Sequence, residues 1–196
     1  MALGTFIFMG RSGSGKGTQA TLLKEYLLRE DPQTKALYIQ TGQHFREFAK
    51  KGTHTSALIR DVLTEGGLLP EFLPVWAWTE FLVHHFTGEE HLIFDGVTRR
   101  ANEAPVLDGA LKFYKRENPD VIVIKVSQKW ATERLLERGR RDDTQAEIQK
   151  RLNWYESDVA PVVEFFKSNP YYRFHEICGE QTREKVHQEI VNKLRS

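Results

Sequence analysis

Short apolar runs alternate along this chain with longer segments in which apolar residues recur at helical spacing. The runs fall at residues 5–9, 36–39, 91–94, 121–126 and 172–177. Runs of this length that are rich in β-branched and aromatic residues are typical of buried strands. Strands that alternate with helices predict a parallel sheet joined by right-handed crossovers.

The helical segments differ in how many apolar residues they offer for packing. Helices are predicted to end near residues 29, 50, 66, 86, 116, 138, 167 and 194. The pieces between residues 43 and 67 carry few large apolar residues, so we expect an excursion that packs lightly and can move. The segment 144–167 is predicted to be one long helix.

Two features of the segment after Pro70 have both a functional and a structural interpretation. Its aromatic residues could form a base-stacking surface, but their spacing near 3.6 favours packing in the core. His84 and His85 suggest a metal site. Adjacent helical positions point about 100° apart, however, which favours a solvated helix end.

Composition and charge narrow the classes of function. The 196 residues fit one α/β domain. Lys and Arg number 28 against 27 Asp and Glu, a net charge of +1, which argues against a general nucleic-acid-binding surface. Cys178 is the only cysteine, which excludes an internal disulfide and a thiolate zinc site and fits a reducing compartment. We expect no signal peptide and no membrane partner.

Candidate chemistry is concentrated at residues 10–19, between the first predicted strand and the first helix. Glycines there let backbone N–H groups turn toward an anion, the helix N-terminus adds partial positive charge, and Lys16 adds a full one. A glycine-rich turn without a ligand is the alternative. The usual phosphate loop has Ser or Thr directly after the Lys to hold Mg²⁺, whereas here Gly17 stands there and Thr18 follows.

Two further groups are expected at the same edge of the sheet. Asp95 ends a strand, and in a parallel sheet the carboxyl ends of strands line the ligand crevice, so its carboxylate could organise Mg²⁺. A turn-forming Asp-Gly pair is the alternative.

Arg134 and Arg138 share a helix face, and Gly139 ends their helix beside Arg140. These arginines could clamp phosphate, or they could be a solvated helix end paired with acids.

In their order along the chain, these segments resemble the adenylate kinases and related nucleoside monophosphate (NMP) kinases. The matching positions are residues 10–19, Thr41-Gly42 with Arg46, 94–96 with Arg99, 134–140 with 142–143, and Arg151. The resemblance implies a three-layer P-loop α/β fold with a five-stranded parallel sheet and helices on both sides. It implies one domain with a core at 1–40, 72–138 and 144–196, an NMP-binding excursion at 41–71 and a short lid at 139–143 without zinc.

The resemblance also implies site roles and an activity. ATP would be bound by Gly13, Ser14, Gly15, Lys16, Gly17, Thr18, Arg134, Arg138 and Gln181. The acceptor would be bound by Thr41, Arg46, Leu69, Gly96, Arg99, Glu103, Arg140 and Arg151. The catalytic residues would be Lys16, Arg99, Arg138, Arg140 and Arg151, with Mg²⁺ held through water by Asp95 and near Thr18. The implied activity is reversible phosphoryl transfer from ATP to AMP by a cytoplasmic monomer.

Glu103 departs from the family pattern in a way that bears on the acceptor base. It stands four residues after Arg99, where adenylate kinases have a Gln that reads adenine. An ionised carboxylate only accepts hydrogen bonds, so it would conflict with adenine N1 but suit the two donors of guanine. AMP stays the first acceptor on the overall resemblance, and GMP or another NMP is the alternative.

Two other classes of function stay open. A non-catalytic nucleotide-binding relative would explain the altered acceptor positions, although Lys16, Asp95 and the arginines oppose it. A kinase of another small molecule, such as shikimate or a nucleoside, would share the phosphate loop. Such a kinase is not expected to have the ordered arginine set or Thr41-Gly42 with Arg46.

Overall fold

The computed structural model describes residues 3–140 and 143–195. Within these ranges the strands are β1 (Thr5–Met9), β2 (Lys35–Gln40), β3 (Glu90–Asp95), β4 (Asp120–Lys125) and β5 (Arg173–Cys178). They form one sheet of order β2-β3-β1-β4-β5, and every pair is parallel. The predicted five-stranded parallel sheet is therefore confirmed.

The helices occupy the connections between these strands. They are α1 (Lys16–Glu30), α2 (Thr41–Phe48), α3 (His54–Thr64), α4 (Phe72–His85), α5 (Glu103–Phe113), α6 (Gln128–Arg138), α7 (Gln145–Trp154), α8 (Ala160–Ser168) and α9 (Arg183–Arg195). None of the helices in the described ranges has the length and apolar character needed to span a bilayer.

The three central strands, β1, β3 and β4, are buried on both faces, as their continuous apolar runs predict, whereas the edge strands β2 and β5 are only partly buried. Because successive side chains alternate between faces, Ile7 and Phe94 pack with α4, α5 and α8 on one side. Phe8 and Ile122 pack with α1 and α9 on the other. The three-layer fold with helices on both sides is thus confirmed.

Two smaller apolar clusters lie outside these main layers. Helices α2 and α3 and the first half of α4 share a cluster that includes Phe45 and Ile59. Helices α6 and α7 share another, which includes Leu135 and Ile148. The excursion therefore packs around one apolar cluster, and the helices that flank the predicted lid pack around another.

The segment predicted as one long helix is interrupted by a π-helical segment, Tyr155–Val159. There the Ala160 N–H donates to the carbonyl of Tyr155, five residues back, instead of four. In a regular α-helix the ring of Pro161 would clash with the carbonyl four residues before it, so a wider turn accommodates the proline. The helix prediction for 144–167 is corrected to α7, this segment and α8.

Candidate active site

The glycine-rich loop between β1 and α1 has a shape that only glycine permits at Gly13. This residue has a φ of +83°, and a Cβ there would lie 2.6 Å from the carbonyl oxygen of Ala131 in α6. Gly15 stands at the N-cap of α1 with no side-chain cap, so the first N–H groups of the helix are not covered by a side chain. The loop therefore offers backbone donors and a helix N-terminus to an anion.

Lys16 lies at the centre of this loop. Its Nζ donates hydrogen bonds of 2.7 Å to the carbonyl oxygens of Gly10 and Arg11. Burial lowers the pKa of Lys16 to about 8, although the negative charge of Asp95 acts in the opposite direction. A phosphate placed here would stabilise the ammonium form and raise this pKa again.

Arg11 fixes the start of the loop to the π-helical segment. Its Nη1 donates to the carbonyl of Val126 at 2.9 Å, its Nη2 pairs with Glu156, and its guanidinium carbon lies 4.7 Å from the ring centre of Tyr155. The wide helical turn thus gives the loop a charged and an aromatic contact.

Asp95 lies directly beside the loop, as its place at the end of β3 predicts. Its Oδ2 accepts hydrogen bonds from Tyr38 Oη at 2.9 Å and Gln40 Nε2 at 2.6 Å. The same oxygen would lie 3.2 Å from a Cβ at Gly17. A Ser or Thr at position 17 would therefore crowd this carboxylate, which gives a physical reason for glycine after Lys16.

Two arginines of the cleft, Arg46 and Arg99, converge at Gly42. The position that a Cβ of Gly42 would take lies 3.4 Å from Arg46 Nη1 and 3.4 Å from Arg99 Nη2. Arg99 Nε and Thr41 Oγ1 each donate to the carbonyl of Gly96, at 3.1 Å. Two guanidinium groups at one glycine form a cationic site suited to a phosphate.

Glu103 is buried at the first turn of α5, and only 1% of it is exposed. Its Oε2 accepts the backbone N–H of Arg99 at 2.6 Å. Burial raises the pKa of this carboxyl, while the N–H groups of Arg99 and Arg100 act to lower it. Glu103 thus stabilises the turn that carries Arg99, in addition to lining the cleft.

A buried carboxylate, Asp143, joins two of the predicted arginines. It accepts from Arg138 Nη2 at 2.7 Å and Arg151 Nη2 at 2.6 Å through Oδ1, and from Arg138 Nε at 2.9 Å through Oδ2. The backbone N–H of Arg140 also donates to it, at 3.1 Å. Of the predicted lid, Arg141 and Asp142 lie outside the described residues.

The other predicted donor-side residues are Arg134 and Gln181, which also line the cleft. The guanidinium carbon of Arg134 lies 4.7 Å from the ring centre of Trp130, and its Nη1 pairs with Glu137 at 3.0 Å. Gln181 Nε2 donates to the carbonyl of Cys178 at 3.0 Å. A planar guanidinium stacked on an indole is a surface on which a base can lie.

A cavity of about 1070 Å³ brings nearly all of these residues together. Predicted residues that line it are Gly13, Ser14, Gly15, Lys16, Gly17, Thr18, Thr41, Arg46, Leu69, Asp95, Arg99, Glu103, Arg134, Arg138, Arg140, Arg151 and Gln181. Gly96 is not part of the lining but anchors Thr41 and Arg99 through its carbonyl.

Sequence reasoning missed several residues of this cleft. Asp143 stands among the positions that match the family, but the resemblance gives it no site role, although an acid beside arginines is a natural partner for them. Trp154 had no signal in the sequence, because its indole N–H binds the carbonyl of Gly66, 88 positions away. Tyr38 and Gln40 reach Asp95 because β2 pairs with β3, an order of strands that the sequence does not reveal.

A parallel sheet of this order, with a glycine loop and a lysine at the start of α1, defines a phosphate-loop nucleotide-binding protein. The adenylate kinase family model matches residues 8–171. Adenylate kinase 1 of Nostoc sp. is 30% identical over 190 residues, which cover 97% of this chain and 98% of that protein. Adenylate kinase of Azobacteroides pseudotrichonymphae is 32% identical over 94% of each chain, and adenylate kinase 1 of Synechocystis sp. is 32% identical over 92% and 91%.

The chain belongs to the adenylate kinase family, and the predicted resemblance is confirmed. It is an adenylate kinase-like phosphotransferase, which acts by nucleotide phosphoryl transfer.

Proposed function

We propose that this enzyme reversibly transfers the terminal phosphoryl group of ATP to an NMP in a Mg²⁺-dependent reaction, with AMP as the first acceptor. The observation that carries the proposal is the single cleft in which Lys16, Arg99, Arg138 and Arg151 line the same cavity. Phosphoryl transfer needs little covalent help from the protein. It needs two anionic substrates held in line, with their charge neutralised and water excluded.

Each cationic group has a distinct role in this proposal. The loop N–H groups and Lys16 hold the ATP phosphates, and Arg99 with Arg46 holds the acceptor phosphate. An acceptor oxygen attacks the γ-phosphorus, and the bond from that phosphorus to the bridging oxygen breaks to release ADP. Arg138 and Arg151 lie beside the transferring group, oriented by their shared carboxylate, Asp143.

The residues near Lys16 fit Mg²⁺ held mainly by the nucleotide. The Asp95 carboxylate and the Thr18 hydroxyl are the oxygen ligands that Mg²⁺ prefers. Across the described part of the chain, no group of three or more His, Cys, Asp or Glu side chains is arranged to hold a metal. Nucleotide oxygens and waters would therefore supply most ligands, and the ion would neutralise phosphate charge when bound.

We assign residues 41–71 to acceptor binding and residues 139–143 to the lid. The separate apolar cluster of α2, α3 and α4 supports the first assignment. A monomeric state is also part of the proposal. A cytoplasmic location is part of the proposal, because ATP and monophosphates are available there.

The choice of base depends on Glu103. Its Oε2 is engaged by the N–H of Arg99, so a structural role accounts for this side chain without any base contact. This supports AMP as the first acceptor. Because Glu103 also lines the cavity, GMP is the second candidate.

Initial rates with AMP, GMP, CMP and UMP at fixed ATP and Mg²⁺ test the proposal, with Lys16→Met as the blank. We expect AMP to be fastest and the rate to fall to the blank when EDTA removes Mg²⁺. Glu103→Gln should shift any GMP activity toward AMP. GMP as the fastest acceptor would contradict the choice of AMP, and no transfer above the blank to any of the four would contradict the proposed function.

A further inference from the structure

Two neighbouring carbonyl groups at the end of the excursion bind side chains of α7. Trp154 Nε1 donates to the carbonyl oxygen of Gly66 at 3.1 Å. Lys150 Nζ donates to the carbonyl oxygen of Glu65, also at 3.1 Å. Both donors lie one turn apart on α7, so this helix holds the excursion at two adjacent points.

Gly66 makes this close approach possible. It has a φ of +68°, which residues other than glycine rarely adopt. A Cβ at Gly66 would also lie 3.0 Å from the Cβ of Glu147 in α7. A residue with a side chain would be strained at this φ, and its Cβ would push the excursion away from α7.

The indole of Trp154 has a second contact, with a residue of the acceptor side. The guanidinium carbon of Arg99 lies 5.9 Å from the ring centre of Trp154. Arg99 is also fixed by its Nε hydrogen bond to the Gly96 carbonyl. One partly buried side chain therefore touches both the end of the excursion and an arginine of the cavity.

We propose that Trp154 is a positioning residue for the acceptor monophosphate. Its N–H holds the end of the excursion against α7, and its ring keeps the Arg99 guanidinium directed at the acceptor phosphate. The inference rests on the proposed function, because it takes the excursion to be the acceptor site. We expect its effect on acceptor binding, because the two contacts described are with Gly66 at the end of the excursion and with Arg99 on the acceptor side.

Trp154→Phe separates the two contacts, because it keeps a ring beside Arg99 and removes the N–H. We expect the KM for the acceptor to rise about two- to tenfold, the range for one neutral hydrogen bond. The KM for ATP should stay within about twofold, as a loss confined to acceptor binding requires. Trp154→Leu also removes the aromatic face, so its acceptor KM should be higher than that of Trp154→Phe.

Trp76→Phe is the matched control. Trp76 is 42% exposed, packs on His44 and Phe48 and does not line the cavity, so its variant should keep both KM values. Gly66→Ala disturbs the same contact from the opposite side and should raise the acceptor KM alone. Thermal unfolding shows whether each variant is folded. If the Trp154 variants are not, the acceptor KM of Gly66→Ala tests the inference.

Two results would overturn the inference. One is an acceptor KM of Trp154→Phe equal to that of Trp76→Phe. The other is an equal rise in the KM values for ATP and acceptor. Failure of the wild-type chain to phosphorylate any monophosphate would instead overturn the proposed function on which the inference rests, so the two failures are distinguishable.

Discussion

At the scale of single residues, Asp143 determines how the arginines of the cleft are arranged. Its side chain is fully buried, whereas that of Arg138 is 33% exposed and that of Arg151 10%. Burial would raise the pKa of Asp143, but the hydrogen bonds from Arg138 and Arg151 outweigh it and lower the pKa to about 2. The carboxylate therefore stays ionised at neutral pH and holds two like charges close together.

Asp143→Asn should weaken the orientation of Arg138 and Arg151 and lower the stability of the folded protein. The depressed pKa contributes about 2 kcal/mol to the free energy of unfolding above pH 4, which is lost as the pH falls from about 4 to about 2. We expect the variant to lose about 1–3 kcal/mol at pH 7 and to show a flatter pH dependence in that acid window. It should also lower kcat by about tenfold or more, because Arg138 and Arg151 lose their shared partner.

Urea unfolding of the wild type and of Asp143→Asn between pH 2 and pH 7 measures the stability change, and a coupled assay measures kcat. Asp61→Asn is a control, because Asp61 is an exposed acid on α3. Equal acid dependence of the wild type and Asp143→Asn would contradict the role given to this carboxylate.

At the scale of secondary-structure elements, the phosphate loop and α6 meet at Gly13. Gly13→Ala would introduce a Cβ 2.6 Å from a backbone oxygen of α6 in a left-handed conformation. The conformation alone costs about 1–2 kcal/mol, and relief of the clash requires the loop to move. We expect lower stability and a higher KM for ATP than in the wild type.

Gly109→Ala is the matched control for this prediction. Gly109 is an exposed residue of α5 with nothing within 4 Å of the new Cβ. Alanine is favoured over glycine inside a helix, so this variant should be more stable by about 0.5–1 kcal/mol with an unchanged KM for ATP. Similar thermal unfolding and KM values for both alanine variants would contradict the close packing of loop and helix.

The same elements indicate how far sequence reasoning reaches. Buried strands such as β4 are evident from their apolar runs, and the place of Asp95 follows from the end of β3. The π-helical segment could not be predicted from periodicity, because it depends on how the helix accommodates Pro161. The contact of Trp154 with Gly66 depends on packing between distant segments, which no local pattern encodes.

At the scale of the whole molecule, α7 links the two sides of the cleft. Its Trp154 binds the end of the excursion, and its Arg151 binds Asp143, which also binds Arg138 at the end of α6. One helix thus contacts the end of the excursion and also carries one of the proposed catalytic arginines.

The length of the proposed lid gives the last prediction. Only residues 139–144 lie between α6 and α7, and Arg140 among them is exposed. We expect a lid as short as the proposed one at 139–143 to leave part of the cleft open, so that water can compete with the acceptor for the γ-phosphate. We expect slow ATP hydrolysis without acceptor, at a rate above that of Lys16→Met, measured by release of inorganic phosphate. Hydrolysis no faster than in Lys16→Met would mean that the short lid excludes water as fully as phosphoryl transfer requires.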